Sequence, residues 1–240
     1  MTNVLITGAT SGIGEELTKL YAQQDWQVFA CGRNLQKLHA MQSNLPNIKP
    51  ISFDVTESKQ VADAANSVSS PLDIVILNAG ECEYIEDPMH FDSAVFERVM
   101  RVNLLSVGYC LEYFLPKIRK GGRLAIMSSS ASYLPLPRAS AYGASKAAVN
   151  YLANTLRLEL HKFGVGVTLI CPGFVKTPLT DKNTFAMPLR VSASFAAKAI
   201  YFDLEAGKDE IHFPQAFTQI LKFLSVLPYS LWRRIASSLV

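Results

Sequence analysis

The sequence predicts an α/β fold: one doubly wound parallel sheet of about seven strands with helices on both faces. Three observations carry that expectation. Apolar runs of strand length recur along the chain, and segments with helical spacing of apolar residues separate them. Those runs are continuous rather than alternating, as in strands covered on both faces. No linker, repeat or low-complexity tract breaks the series, so residues 1–240 read as a single domain.

The elements follow in order. Val4–Thr7 reads as a short buried strand, and Leu17, Leu20 and Tyr21 then fall at i, i+3, i+4 on a helix. Gln27–Cys31 and Ile51–Phe53 read as strands two and three, with Asp54 closing the third. Asp73–Leu77 is the fourth, after the breaker Pro71. A long helix covers Ser93–Leu115 and stops at Pro116. Gly121 and Gly122 announce strand five, Arg123–Ser128. A helix from Tyr142 to about Lys162 ends at Gly164, and Val165–Cys171 is strand six. Ser192 caps a helix through about Glu205 that Gly207 closes, and Glu210–Phe213 is strand seven.

Composition excludes several functions. Hydrophobic residues make up 49% of the chain and charged residues 18%, too apolar for disorder. Lys and Arg number 23 against 20 Asp and Glu, a net +3 with no clustered basic face, so no nucleic-acid partner is expected. The start predicts no secretory leader, and no apolar run reaches the roughly 18 residues a membrane span needs. Cys31, Cys82, Cys110 and Cys171 are widely spaced, and His39, His90, His161 and His212 are scattered, so no metal site is expected. Free thiols point to a cytoplasmic location. The mean hydropathy of +0.17 is high for such a chain.

Strand one leads into Thr7-Gly8-Ala9-Thr10-Ser11-Gly12-Ile13-Gly14, which opens a helix. Glycines there permit a tight turn and close approach of backbone to a diphosphate, and the helix N-terminus offers free N–H groups and a positive dipole end. Ligands of such sheets sit beyond the carboxyl ends of the strands, so this is a dinucleotide cradle of the Rossmann type. Strand two ends in Gly32 and Arg33, where an NAD-preferring site carries a carboxylate for the ribose 2′-OH. A guanidinium pairs instead with a 2′-phosphate, so NADP(H) is expected over NAD(H), although Ser11 stands where many NADP enzymes carry a basic residue.

Tyr142 and Lys146 lie four apart, on one face of a helix. A free phenol, with a pKa of about 10, is a poor acid–base group at neutral pH, and a nearby ammonium lowers that value. Bringing it to neutrality takes roughly 4 kcal/mol. Together with Thr7-Gly8-x-x-x-Gly12-x-Gly14, Asn78-Ala79-Gly80, Asn103, Ser129 and Pro172-Gly173, this pair resembles the short-chain dehydrogenase/reductase family in order and spacing, over nearly the whole chain.

The resemblance implies roles. Tyr142 is the general acid that protonates the substrate carbonyl oxygen, and Lys146 holds the nicotinamide ribose and tunes Tyr142. Ser129, thirteen residues before Tyr142, bonds the substrate oxygen, with Ser128 and Ser130 as neighbours that could be confused with it and Ser130 as the fallback. Asn103 supports a proton relay through Lys146. Asp54 and Val55 meet the adenine, and an N-cap role for Asp54 before Thr56 explains it nearly as well without excluding that contact. Asn78, Ala79 and Gly80 steady the sheet and line the cofactor. Pro172 and Gly173 open the segment against the nicotinamide, which Val175 contacts by its backbone and Thr177 by its side chain or through the phosphates.

Residues 178–194 lack strong periodicity, and the resemblance makes them a mobile lid. Phe174, Leu179, Phe185 and Met187 are candidates for an apolar substrate pocket or for plain core filling. In the tail, residues 215–240, Phe217, Ile220, Leu221, Leu224 and Leu227 share a helical face, Pro228 breaks the period, and Leu231, Ile235 and Leu239 make a second stripe beside Trp232, Arg233 and Arg234. The tail reads as a helix pair packed on the core or a partner subunit, or as an amphipathic element at a membrane surface. The expectation is an NADP(H)-dependent oxidoreductase acting on an apolar carbonyl or alcohol, as a homodimer or homotetramer. Its alternatives are a 3-oxoacyl or lipid-ketone reductase at a membrane surface and a non-catalytic NADPH-sensing scaffold, against which the intact catalytic set argues.

Overall fold

The computed structural model describes residues 2–237. Seven parallel strands form one sheet: β1 (Asn3–Thr7), β2 (Gln27–Gly32), β3 (Ile48–Ser52), β4 (Leu72–Leu77), β5 (Ile118–Met127), β6 (Gly166–Pro172) and β9 (Glu210–Phe213), in the order β3-β2-β1-β4-β5-β6-β9. The order reverses between β1 and β4, leaving a crevice above their carboxyl ends, where ligands of such sheets bind. A separate pair joins β7 (Val175–Lys176) to β8 (Val191–Ser192).

Helices cover both faces. One core layer gathers Leu5, Phe29, Val75, Phe114, Ile126 and Leu169 with their neighbours. The opposite layer gathers Val4, Ile6, Leu17, Tyr21, Ile76 and Ile170. Adjacent residues of β1 thus enter opposite cores, which explains why the strands are apolar throughout. Helix α1 (Gly12–Gln23) buries Leu17 and Tyr21 against α7 (Ala193–Glu205), which Ser192 caps by accepting a hydrogen bond from the Phe195 N–H.

Several boundaries differ from the sequence expectation. Strand β3 begins three residues early, at Ile48, and carries Pro50, which an edge strand tolerates. Two helices with short apolar stripes add to the expected elements: α2 (Leu35–Asn44) and α3 (Ser58–Ser67). The expected helix at 93–115 is α4 (Ser93–Met100), a π-helical turn over Arg101–Leu105, and α5 (Ser106–Phe114). Strand β5 starts at Ile118, and α6 runs over Ser140–Leu160. The tail forms α8 (Gln215–Ser225) and α9 (Tyr229–Ser237), broken at Pro228 as the sequence predicts, while Leu239 lies outside the described residues.

Candidate active site

At the carboxyl end of β1 the chain passes through Gly8 to the start of α1. A Cβ at Gly14 would lie 2.3 Å from the Gly8 carbonyl oxygen, so nothing larger fits. Gly12 has a φ of +55°, and its open side faces Thr177, whose Cγ2 would stand 2.9 Å from an added Cβ. Ser11 occupies the N-cap of α1 in extended conformation, yet its side chain accepts no capping bond. The first-turn amides of α1 therefore lack a side-chain acceptor at the point where the helix dipole is positive. That arrangement fits a diphosphate. Ser11, Gly12 and Ile13 form one wall of a groove of about 320 Å³, and Pro172, Gly173, Val175 and Thr177 form the other. Thr10 stands behind this wall, against Gly32.

At the groove's far end Arg33 Nη1 lies 3.6 Å from Asp54 Oδ2, with 78% of the Arg33 side chain exposed. Arg33 borders the groove, whereas Asp54 and Val55 sit beside it. Burial would raise the Asp54 pKa, but the Thr56 N–H at 2.9 Å, the Thr56 hydroxyl at 2.8 Å and Arg33 together outweigh it and hold the carboxyl below its ordinary value. The N-cap expectation for Asp54 is corrected: it closes a turn onto Thr56, while Glu57 occupies the cap of α3. Val55 packs against the core.

The crevice floor is a hydrogen-bonded junction. The Thr7 hydroxyl accepts from the Asn78 and Ala79 N–H groups at 3.0 and 3.1 Å, and Asn78 Nδ2 donates to the Thr7 carbonyl at 3.0 Å. Asn103 is buried in the π-helical turn. Its Oδ1 accepts from the Glu81 N–H at 2.8 Å, while its Nδ2 donates to the Glu81 carbonyl at 2.9 Å and the Ser145 hydroxyl at 3.0 Å. Gly80 lies against the same Asn103 oxygen. A π-turn widens the helix locally and is often found at functional sites.

Tyr142 and Lys146, one turn apart on α6, both face the groove, and the Ser129 hydroxyl stands within hydrogen-bonding reach of the phenol. Ser128 is committed elsewhere: its hydroxyl donates to the Lys146 carbonyl and to Asn150. Ser130 is buried and does not border the groove. Lys146 Nζ donates to the Met127 carbonyl at 3.0 Å and lies 5.9 Å from the Tyr142 ring centre. Burial pushes the ammonium pKa down to about 8. Burial also raises the Tyr142 phenol, helped by Cys82, and the Ser129 bond only partly offsets this. Burial works against the charged form of both groups, so without a bound nucleotide Lys146 does not offset the rise of the phenol.

Aromatic rings cluster beside Tyr142. The Tyr84 ring centre is 6.2 Å from Tyr142 and 5.2 Å, edge-on, from Phe185. Phe174 lies 6.1 Å from Phe185 and 5.4 Å from Phe217 of α8, and the Arg138 guanidinium sits 5.1 Å over Phe185. Leu179 lines the groove, whereas Met187 accepts a weak bond from Asn183. Tyr84 and Phe217, which join this cluster, carry no sequence signal for it, since neither belongs to a motif and Phe217 reads as an ordinary stripe residue. Glu81, Met127, Thr180 and Lys182 also border the groove without a sequence signal of their own. Beyond the Arg138 segment lies a second cavity of about 690 Å³, between Pro135 and Pro137, the outer face of α6 and α9.

The profile of the short chain dehydrogenase family matches residues 2–187. The chain belongs to this family. An oxidoreductase of Myxococcus xanthus is 32% identical over 98% of this chain and 96% of its own length. An 11-beta-hydroxysteroid dehydrogenase-like protein of Arabidopsis thaliana is 31% identical over 94% of this chain and 77% of its own. A short chain dehydrogenase of Burkholderia cenocepacia, solved in complex with NADP, superposes with a TM-score of 0.84 at 26% identity, covering 97% of this chain and 96% of that one. This short-chain dehydrogenase is therefore an oxidoreductase on a Rossmann-type sheet.

Proposed function

We propose that this short-chain dehydrogenase reduces an apolar carbonyl compound with NADPH, or oxidises the matching alcohol, with Tyr142 as the general acid or base. The observation that carries the reading is the Ser129–Tyr142–Lys146 grouping, which opens on a groove whose other end is an uncapped helix N-terminus. A bound nicotinamide supplies or accepts the hydride. The chain's residues do the rest. Ser129 and Tyr142 orient the carbonyl oxygen. As the carbonyl carbon is reduced, Tyr142 gives its hydroxyl proton to that oxygen. A raised phenol pKa keeps the proton on Tyr142 until then, the form a donor needs. Lys146 holds the ribose hydroxyls, and Asn103, bonded to Glu81 and Ser145 beneath it, supports the path that returns a proton.

Gly8, Thr10, Ser11, Gly12, Ile13 and Gly14 would hold the diphosphate, with Thr177 across from them. Arg33 would hold the 2′-phosphate, which favours NADP(H), and Asp54 and Val55 would flank the adenine. Asn78, Ala79 and Gly80 would line the floor, and Pro172, Gly173 and Val175 would face the nicotinamide. Residues 178–194 form the lid, and Phe174 and Leu179 contact the substrate. The aromatic substrate end also favours a lipid-type ketone as the second reading. Exposed Tyr151 and Leu158 on α6 support a homo-oligomer, and four unpaired buried cysteines support a cytoplasmic setting. In a reductase screen over ketones, aldehydes, quinones and acyl compounds, Tyr142→Phe should lower kcat by about 10²–10⁴ while nucleotide binding, followed by fluorescence, stays unchanged. Equal turnover by the variant on every compound overturns the assignment.

A further inference from the structure

Helix α8 has an unusual outer face. Its inward side carries Phe217, Thr218 and Leu221, packed toward β9 and Phe174. A surface helix ordinarily places polar residues on the opposite side. Here the exposed positions of α8 set Ala216, Ile220 and Phe223 beside the polar Gln215, Gln219 and Ser225, and exposed Val226 follows at the helix end. Ile220, Phe223 and Val226 are 57%, 68% and 77% exposed. Tyr229 and Leu231 of α9 continue the exposed apolar surface past Pro228. A run of large apolar side chains left exposed on a helix and past its end is one that something else covers.

Charge identifies the cover. From Ile211 to the end of the chain there is no Asp or Glu, while Lys222, Arg233 and Arg234 give three cations. Lys222 is committed to Glu210 at 2.8 Å, and Arg233 and Arg234 are exposed. A second copy meeting this face about a two-fold axis would set the same acid-free, cationic patch against itself. An anionic lipid surface supplies what the patch lacks: negative charge for the arginines and a hydrocarbon boundary for Ile220, Phe223, Val226 and Leu231. Trp232 is held inward by donating its indole N–H to the Pro135 carbonyl at 3.0 Å, which fixes α9 against the body of the protein rather than leaving it a loose anchor.

We propose that the outer face of α8 and α9 docks on the surface of a bilayer containing anionic lipid. The Phe217–Phe174 contact then sets the substrate end of the groove beside the membrane. On the reading of this chain as a carbonyl reductase, the substrate class is a ketone or alcohol borne on a membrane-soluble hydrocarbon.

The test is sedimentation of the full chain with phosphatidylcholine vesicles, alone and mixed with phosphatidylglycerol. The wild type should pellet with the mixed vesicles, and less so as salt rises. The triple variant Ile220→Ser/Phe223→Ser/Val226→Ser should lose at least about tenfold in partitioning with its melting temperature retained, because those side chains are exposed. Arg233→Gln/Arg234→Gln should lose the preference for anionic vesicles while the core fold is unaffected. Tyr142→Phe should pellet like the wild type, so a failed reaction assignment leaves the docking result standing. A wild type that stays in the supernatant with every vesicle overturns the proposal. So does a triple variant that partitions normally but shifts from dimer to monomer in light scattering, which assigns the face to a second copy.

Discussion

The nucleotide cradle and the aromatic cluster beside Tyr142 are built in different ways. At the nucleotide end the work is done by backbone: a positive φ at Gly12, a contact at Gly14 that admits no Cβ, and amides of α1 without side-chain acceptors. Beside Tyr142 it is done by side chains from four separate segments, Tyr84, Arg138, Phe174 with Phe185, and Phe217. Backbone geometry tolerates almost no substitution, because a misplaced atom strikes another fixed atom. A wall of rings can be redrawn one ring at a time, since each ring contributes only its own contacts.

Substitutions probe that contrast in descending order of effect. Gly14→Ala drives a Cβ into the Gly8 carbonyl and into Asn78, which is fixed by Thr7 and itself donates to that carbonyl. It should cost about 3 kcal/mol, read as a fall in melting temperature of roughly 6–12 °C and a loss of nucleotide binding. Lys146 lies between the two ends, and its effect depends on pH. Burial holds its folded-state pKa near 8, below the value of about 10.4 of an exposed lysine. Between those values the unfolded chain binds more protons than the folded one, so this contribution to stability grows as pH rises. Below pH 8 the buried ammonium costs about 3 kcal/mol. The melting-temperature advantage of Lys146→Met over wild type should therefore be largest below pH 8 and shrink toward pH 10.

Arg33→Ala should lower the kcat/KM preference for NADPH over NADH by about tenfold or more, the worth of one charge-assisted contact. Steady-state kinetics with both nucleotides decides it, and a preference that survives moves the 2′-phosphate contact elsewhere. The smallest effect belongs to the rings. Phe185→Ala should raise the substrate KM by about threefold to tenfold with kcat and nucleotide KM nearly unchanged, and Phe185→Tyr should restore it. If Phe185→Ala lowered kcat as strongly as Tyr142→Phe, the difference between the ends would disappear.

What the sequence disclosed follows the same division. Backbone-dictated parts leave a mark, because only glycine meets their demands and only helical spacing sets Tyr142 and Lys146 on one face. Thus the cradle, the sheet and the Ser129–Tyr142–Lys146 grouping were legible. Strand β3 was misplaced because its edge position excuses Pro50 from a rule that a central strand would enforce. Helices α2 and α3 went unnamed because their apolar stripes are short, two and three buried residues each. Tyr84 was invisible for another reason: it reaches Tyr142 from a loop whose path no local pattern encodes. The depth at which Tyr142 and Lys146 are buried was not legible, because a sequence names the neighbouring cation and not its surroundings.

The wide turn at Arg101–Leu105 makes an arithmetic demand on the chain. A π-turn holds one residue more than the α-turn it replaces, so everything after it is rotated by about 100° relative to an uninterrupted helix. Val107, Cys110 and Phe114 reach the core only with that rotation included. Deleting a single residue between 101 and 105 would leave a more regular helix. It would also turn those three side chains off the sheet and carry Asn103 away from Glu81 and Ser145. One surplus residue thus keeps two faces in phase, one serving the core and one serving the site.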